Sequence, residues 1–175
     1  MPLPRQSKKV NNSIFCVARN FGLQSSSTGI PAIAFSGTSG SPTAWNARTP
    51  AYSTVYAQVA TQLTSALITS GPKPYLPSNI YLNVNFPASS STSCSSAADF
   101  RFVLSRIYSA VPVLTPKDVV TCGNGGRLPT ETSVVGKSGC YVSVSVGKAS
   151  TKGDASAAEQ QAVLNRLGRV LTCLP

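Results

Sequence analysis

The sequence predicts an α/β fold in a single domain, and three observations predict it. Gly29-Ile-Pro-Ala-Ile-Ala-Phe-Ser-Gly37 is a short continuous apolar run between glycines, the pattern of a strand buried on both faces in a parallel sheet. An apolar stripe at helical spacing follows: Tyr52, Val55, Tyr56, Val59, Leu63, Ala66 and Leu67. Then Ile80, Leu82, Val84 and Phe86 alternate with Tyr81, Asn83 and Asn85, which is the period of a strand. Strand, helix, strand is the unit from which α/β domains are built.

Each element has a local cause. Pro31 lacks an amide N–H and so belongs at the start of the first strand. The small polar run Ser36 to Pro42 is a loop at that strand's carboxyl end, the position at which open α/β sheets place ligands. Thr49 is expected to cap the helix with Pro50 at its first position, and Gly71-Pro72 to stop it. Pro87 ends the second strand. Asn83 and Asn85 either line a polar site or are hydrogen-bonded structural residues, and the structural reading is preferred because buried polar groups are generally satisfied.

Beyond a serine-rich loop, Ser89 to Ala98, residues 100–105 alternate as a further strand, Thr121 to Arg127 is turn-rich, and Cys140 to Val146 alternates again. The glycines of the turn are not followed by Lys-Ser or Lys-Thr, so they do not form a phosphate loop. These later strands are expected to be of hairpin type. Asp154 is expected to cap a last helix whose apolar face is Val163, Leu164, Leu167, Val170 and Leu171, with Cys173 pinning its end.

Composition narrows the chemistry. The 175 residues carry 15 basic and 5 acidic side chains, a net charge of +10, and only 11% of residues are charged; about 25% is usual. Apart from Lys8-Lys9 the basic residues are scattered and are not interleaved with aromatics, which argues against a dedicated nucleic-acid site. A binder of anionic polymers is the weaker reading that the net charge leaves. There is no histidine, so no imidazole base and no Ser-His-Asp or Cys-His pair. The five carboxylates, Asp99, Asp118, Glu131, Asp154 and Glu159, include no adjacent pair, and a hard divalent cation usually draws on one or two carboxylates. No catalytic or metal-binding residue is therefore assigned. No apolar stretch is long enough to span a membrane, and Met1 to Asn12 lacks the apolar run of a signal peptide.

Cys94, Cys122, Cys140 and Cys173 are widely spaced disulfide candidates, without the Cys-x-x-Cys spacing of zinc or redox sites. Three pairings exist; Cys94–Cys122 with Cys140–Cys173 is the favoured one. Cys16 is left over, as a buried apolar residue or a reactive thiol.

Gly29–Gly37, Tyr81-Leu-Asn-Val-Asn-Phe-Pro87 and Cys140-Tyr-Val-Ser-Val-Ser-Val146 together resemble the SurE family of metal-dependent acid phosphatases and 5′-nucleotidases. Phe102-Val-Leu-Ser-Arg-Ile107, Thr121-Cys-Gly123, Leu128-Pro-Thr-Glu131 and Cys173-Leu-Pro175 resemble its fungal branch. The resemblance implies a three-layer α/β/α sandwich with an extended hairpin region and a C-terminal helix. It implies a Mg²⁺ or Mn²⁺ cofactor, small phosphate esters as substrates, a homo-oligomer or pairing with a full-length homologue, and secretion, which cysteine usage also suggests.

The family's metal ligands come from an Asn-Asp-Asp-Gly strand end, a serine and an asparagine loop. No Asn-Asp-Asp-Gly occurs here. Asn20-Phe-Gly-Leu23 resembles the residues after the asparagine loop, which sets Cys16 at the asparagine's place, and Gln24 to Thr28 replaces the family's Ser-Gly-Thr segment. Ser36-Gly37-Thr38 has those letters but follows the central strand, so the role does not transfer. The expectation is a tail and remnant over 1–28 and the C-terminal two-thirds of a SurE-like domain over 29–175, inactive by itself and exposing a sheet edge.

Overall fold

A computed structural model describes residues 29–44 and 46–175. The expected tail, the segment Ser13 to Val17 that could form a short strand, the remnant at Asn20 to Leu23 and Cys16 lie outside the described residues. The chain forms one mixed sheet with helices on both faces. The elements are β1 (Ala32–Gly37), α1 (Ala51–Thr69), β2 (Ile80–Phe86), a 3₁₀ turn (Ala97–Asp99), β3 (Arg101–Ser105), α2 (Glu131–Val135), β4 (Tyr141–Lys148), β5 (Gly153–Asp154), α3 (Ala157–Leu167) and β6 (Leu171–Thr172).

The strand order is β1-β2-β4-β3-β6. β1 and β2 run parallel across the α1 crossover, β4 runs antiparallel to β2, and β3 and β6 run parallel to β4 and β3 respectively. β5 pairs with β4 through Gly147 and Lys148, beyond the point where β3 stops at Ser105. The expectation of hairpin strands is therefore met only by β4–β5. β3 and β4 are adjacent and parallel, so the chain between them must travel the length of the sheet.

The two faces of the sheet differ in chemistry. Ile80, Leu82, Val84 and Phe86 of β2, Val142, Val144 and Val146 of β4, and Phe102 and Leu104 of β3 form one core. Val55, Val59, Leu63 and Leu67 of α1 and Val163 and Leu167 of α3 close over it. The opposite face carries Tyr81, Asn83, Asn85, Ser143, Ser145 and Ser105, all of them buried. Both central strands are thus buried on two sides, and their alternation marks a change from apolar to polar core. β1, expected to be buried on both faces, is mostly half-buried because it is an edge strand among the described residues.

Two glycines are required by aromatic neighbours. A Cβ at Gly147 would lie 2.2 Å from the Tyr81 ring, and one at Gly37 would lie 2.4 Å from the Tyr56 ring. Tyr56 in turn stacks on Phe86 with 5.1 Å between centroids.

Three local expectations are corrected. α1 is capped by Pro50 without a side-chain hydrogen bond, so Thr49 stands one position too early. α3 is capped by Ser156, in a reciprocal box with Glu159; Asp154 lies in β5 and is occupied elsewhere. α3 also ends at Leu167, leaving Leu171 to pair with Phe102 in β6. The disulfides are Cys94–Cys140 and Cys122–Cys173, so the same four cysteines pair in the alternative way. The reason is topological. Arg101 N donates to Cys140 O, which seats Cys140 at the entry of the β3–β4 pair, and Cys94 reaches it from the loop just before β3. Cys173 follows β6, so its bridge to Cys122 pins the segment after that strand and not the end of helix α3.

Glu159 is held below the usual carboxylate range. Burial pushes its pKa up, but hydrogen bonds from Ser156 and the Lys148 ammonium outweigh that and lower it. Its Oε1 accepts from Lys148 Nζ at 2.9 Å and its Oε2 from Ser156 N at 2.8 Å. A folded-state pKa below the unfolded value gives stability that is present above the unfolded pKa and fades as pH falls through the folded one. Resistance to urea should therefore fall as pH drops below about 4.5, and Glu159→Gln should flatten that part of the profile. Gly147→Ala should destabilise by about 1–3 kcal/mol through overpacking against Tyr81. Removing both Cys94 and Cys140, which close a loop with a sequence separation of 46, should cost about 4 kcal/mol on the chain-entropy scale.

Candidate functional site

The carboxyl ends of β1 and β2 bring together the residues that the sequence marks as a ligand-binding position. Ser36 Oγ donates to Asn85 Oδ1 at 2.6 Å, and Asn85 Nδ2 donates to Ser143 Oγ at 3.1 Å. This chain of three side chains crosses β1, β2 and β4 in the buried polar face. Beyond it the loop is tied down. Thr38 Oγ1 donates to Phe86 O at 2.8 Å, Ser39 Oγ donates to Ser89 O at 3.0 Å, and Ser39 Oγ accepts from Ser89 N at 2.9 Å. The Tyr56 hydroxyl accepts from Ser39 N at 3.0 Å and donates to Pro87 O at 2.8 Å.

This arrangement positions groups without activating one. The Ser36 hydroxyl points its proton at an amide oxygen, which is not a base. Asn85 spends both ends of its amide on neighbouring serines. A nucleophile needs an adjacent base or a depressed pKa, and none of these partners supplies either. Tyr56 belongs to the helical stripe that the sequence assigns to the core; its hydroxyl clamp on the loop was not legible, because no periodicity records where a ring's polar tip ends.

Among the described residues, the carboxylates are dispersed and not gathered at the ends of β1 and β2. Each of the five carboxylates is engaged by groups elsewhere. Asp99 accepts from Ser96 N at the 3₁₀ turn. Asp118 and Asp154 both pair with Arg106, at 2.7 and 3.2 Å. Glu131 Oε1 accepts from Asn83 Nδ2 at 2.7 Å, and Glu159 holds Lys148 and the α3 cap. Among the described residues, no three His, Cys, Asp or Glu side chains gather where they would hold a metal ion.

The most concentrated charge is therefore the buried cluster around Arg106, which the sequence analysis did not single out. Asp118 Oδ2 also accepts from Leu128 N at 3.1 Å, and Asp118 Oδ1 accepts from Gln160 Nε2 at 3.0 Å. Asp154 Oδ1 accepts from Ile107 N at 2.6 Å, and Asp154 Oδ2 from Tyr108 N at 3.2 Å. Arg106 Nε donates to Tyr108 O. Every charged atom is answered within the protein, so this is a brace and not a binding pocket. Thirty-six residues separate Asp118 from Asp154 in the sequence, and no spacing rule joins them to Arg106.

Asn83 and Asn85, left open between a site and structure, are hydrogen-bonded structural residues. Two disulfides are compatible with an extracellular protein, and no described helix is long and apolar enough to cross a membrane. No protein-family model, curated protein or solved structure matches the chain.

Two substitutions separate these clusters energetically. Asn85→Ala should cost about 1–3 kcal/mol by leaving the Ser36 and Ser143 hydroxyls without their partner. Arg106→Met should cost about 3–5 kcal/mol by stranding two carboxylates. Denaturant midpoints at neutral pH check both.

Proposed function

We propose that this chain is the sheet and disulfide framework of a SurE-like phosphate-monoester hydrolase that does not turn over phosphate esters by itself. The observation that carries the reading is the commitment of all five carboxylates to caps, ion pairs and an asparagine. Among the described residues these side chains do not gather into a group that would hold a divalent ion against a phosphoryl group. Support for the resemblance comes from the placement of its three main motifs, which form β1, β2 and β4, three neighbouring strands of one sheet.

A second reading rests on surface. Val111, Val113 and Leu114 stand in solvent, Val113 completely, and Val113 holds a positive φ of 68° that β-branched residues rarely adopt. An exposed apolar patch of this kind marks an interaction site. The second reading is a non-catalytic assembly module whose partner is a full-length homologue.

Hydrolysis of p-nitrophenyl phosphate and nucleoside 5′-monophosphates in Mg²⁺ or Mn²⁺ tests the first reading. No rate above the metal-only blank is expected; metal-dependent turnover by purified chain would overturn it. Co-expression with a tagged full-length homologue tests the second. Co-purification that Val113→Asp with Leu114→Asp abolishes is expected, and two separate species in sedimentation would refute it.

A further inference from the structure

The two disulfides close loops of nearly equal length, with sequence separations of 46 and 51, but sit in different surroundings. Cys94 is 5% exposed and belongs to the main core, with Cys140 packed against it. Cys122 and Cys173 are both solvent-exposed. Cys122 lies in the turn Thr121–Arg127, outside any strand or helix. Cys173 follows β6, which has two residues and, among the described residues, only β3 as a neighbour. The same bridge forms one wall of a cavity of about 380 Å³, lined by Leu128, Leu164, Leu171 and Leu174.

The geometry points to Cys122–Cys173 as a reducible latch on the C-terminal edge of the sheet. Access decides which bridge a thiol reaches first, and here both cysteines of one bridge are exposed whereas the other pairs a buried Cys94 with a half-buried Cys140. β6 holds its place through a two-residue register with Phe102 and Val103, through the packing of half-buried Leu171 and Leu174, and through this bridge. Freed of the bridge, residues 168–175 leave the sheet. That uncovers the apolar wall of the cavity and the outer edge of β3, a row of unpaired backbone groups that can accept another strand.

The reductant is a dithiol. Its thiolate attacks one sulfur of the bridge, forming a mixed disulfide and releasing the other cysteine as a thiolate. Its second thiol loses a proton and closes to a cyclic disulfide, releasing the second cysteine. The dithiol gives up two electrons, and the protein gains two thiols after protonation from water. The core bridge Cys94–Cys140 keeps β3 and β4 in register throughout.

Graded dithiothreitol under native conditions, quenched with iodoacetamide and mapped by peptide mass spectrometry, tests the latch. Alkylation of Cys122 and Cys173 is expected while Cys94 and Cys140 remain paired. At that stage amide exchange should rise over 168–174 and at Phe102 and Val103, and a hydrophobic dye should bind, with far-ultraviolet circular dichroism retained. Cys122→Ser with Cys173→Ser should reproduce the exchange pattern without reductant. Simultaneous loss of both bridges, prior loss of Cys94–Cys140, or unchanged exchange over 168–174 would overturn the inference. So would global unfolding of the double variant, since the bridge would then hold the whole domain and not its edge.

Discussion

The buried guanidinium of Arg106 organises more of this structure than any other side chain. It stands at the exit of β3, where the chain leaves the sheet for the irregular connection that returns at α2. Asp118 ties the middle of that connection to Arg106, and Leu128 N and Gln160 tie Asp118 to its far end and to α3. Asp154 brings in β5 and receives the first two amides of the connection. One cation and two carboxylates thus join four segments of the chain. Burying an ion pair is costly unless its remaining lone pairs and protons are answered. Here backbone amides answer the second carboxylate, which an arginine alone would leave unbalanced.

The same economy governs the sheet. β2 and β4 bury seven consecutive residues each, yet only alternate positions are apolar. The polar face is workable because Ser36, Asn85 and Ser143 satisfy one another across three strands, and Ser105 and Ser145 pair at 2.8 Å across two. Small side chains permit this, since serine brings a donor and an acceptor in little volume. Where the face must take a large ring, Tyr81, the neighbouring strand offers Gly147.

What was legible in the sequence follows from the range of the forces involved. The stripe of α1 and the alternation of β2 and β4 are local consequences of burial on known periods, and they appear within a residue or so of expectation. The choice of cysteine partners, the parallel β3–β4 pairing and the Arg106 cluster depend on contacts between residues far apart in the chain, and no local pattern encodes these. Asp154 shows the difference. Its position before a helical stripe matched a cap, but Ser156 took that role with Glu159, and the aspartate was drawn to the buried cation. Leu171 fits the helical period equally well, yet ends in a strand because the edge of β3 was open to it.

The surplus of positive charge sharpens the functional argument. With fifteen basic residues and five acidic ones, acidic oxygen is the scarce resource of this chain, and each of the five carboxylates makes at least one contact that holds the fold together. Recruiting any of the five to a metal would undo a cap, a buried ion pair or an asparagine contact. None of the five carboxylates lies in the segments at the carboxyl ends of β1 and β2. There the loop from Ser36 to Ser41 is already held in place by Tyr56, Phe86 and Ser89. The loop is fixed by neutral partners and carries no charge of its own, so nothing in it brings an anionic ligand to those strand ends.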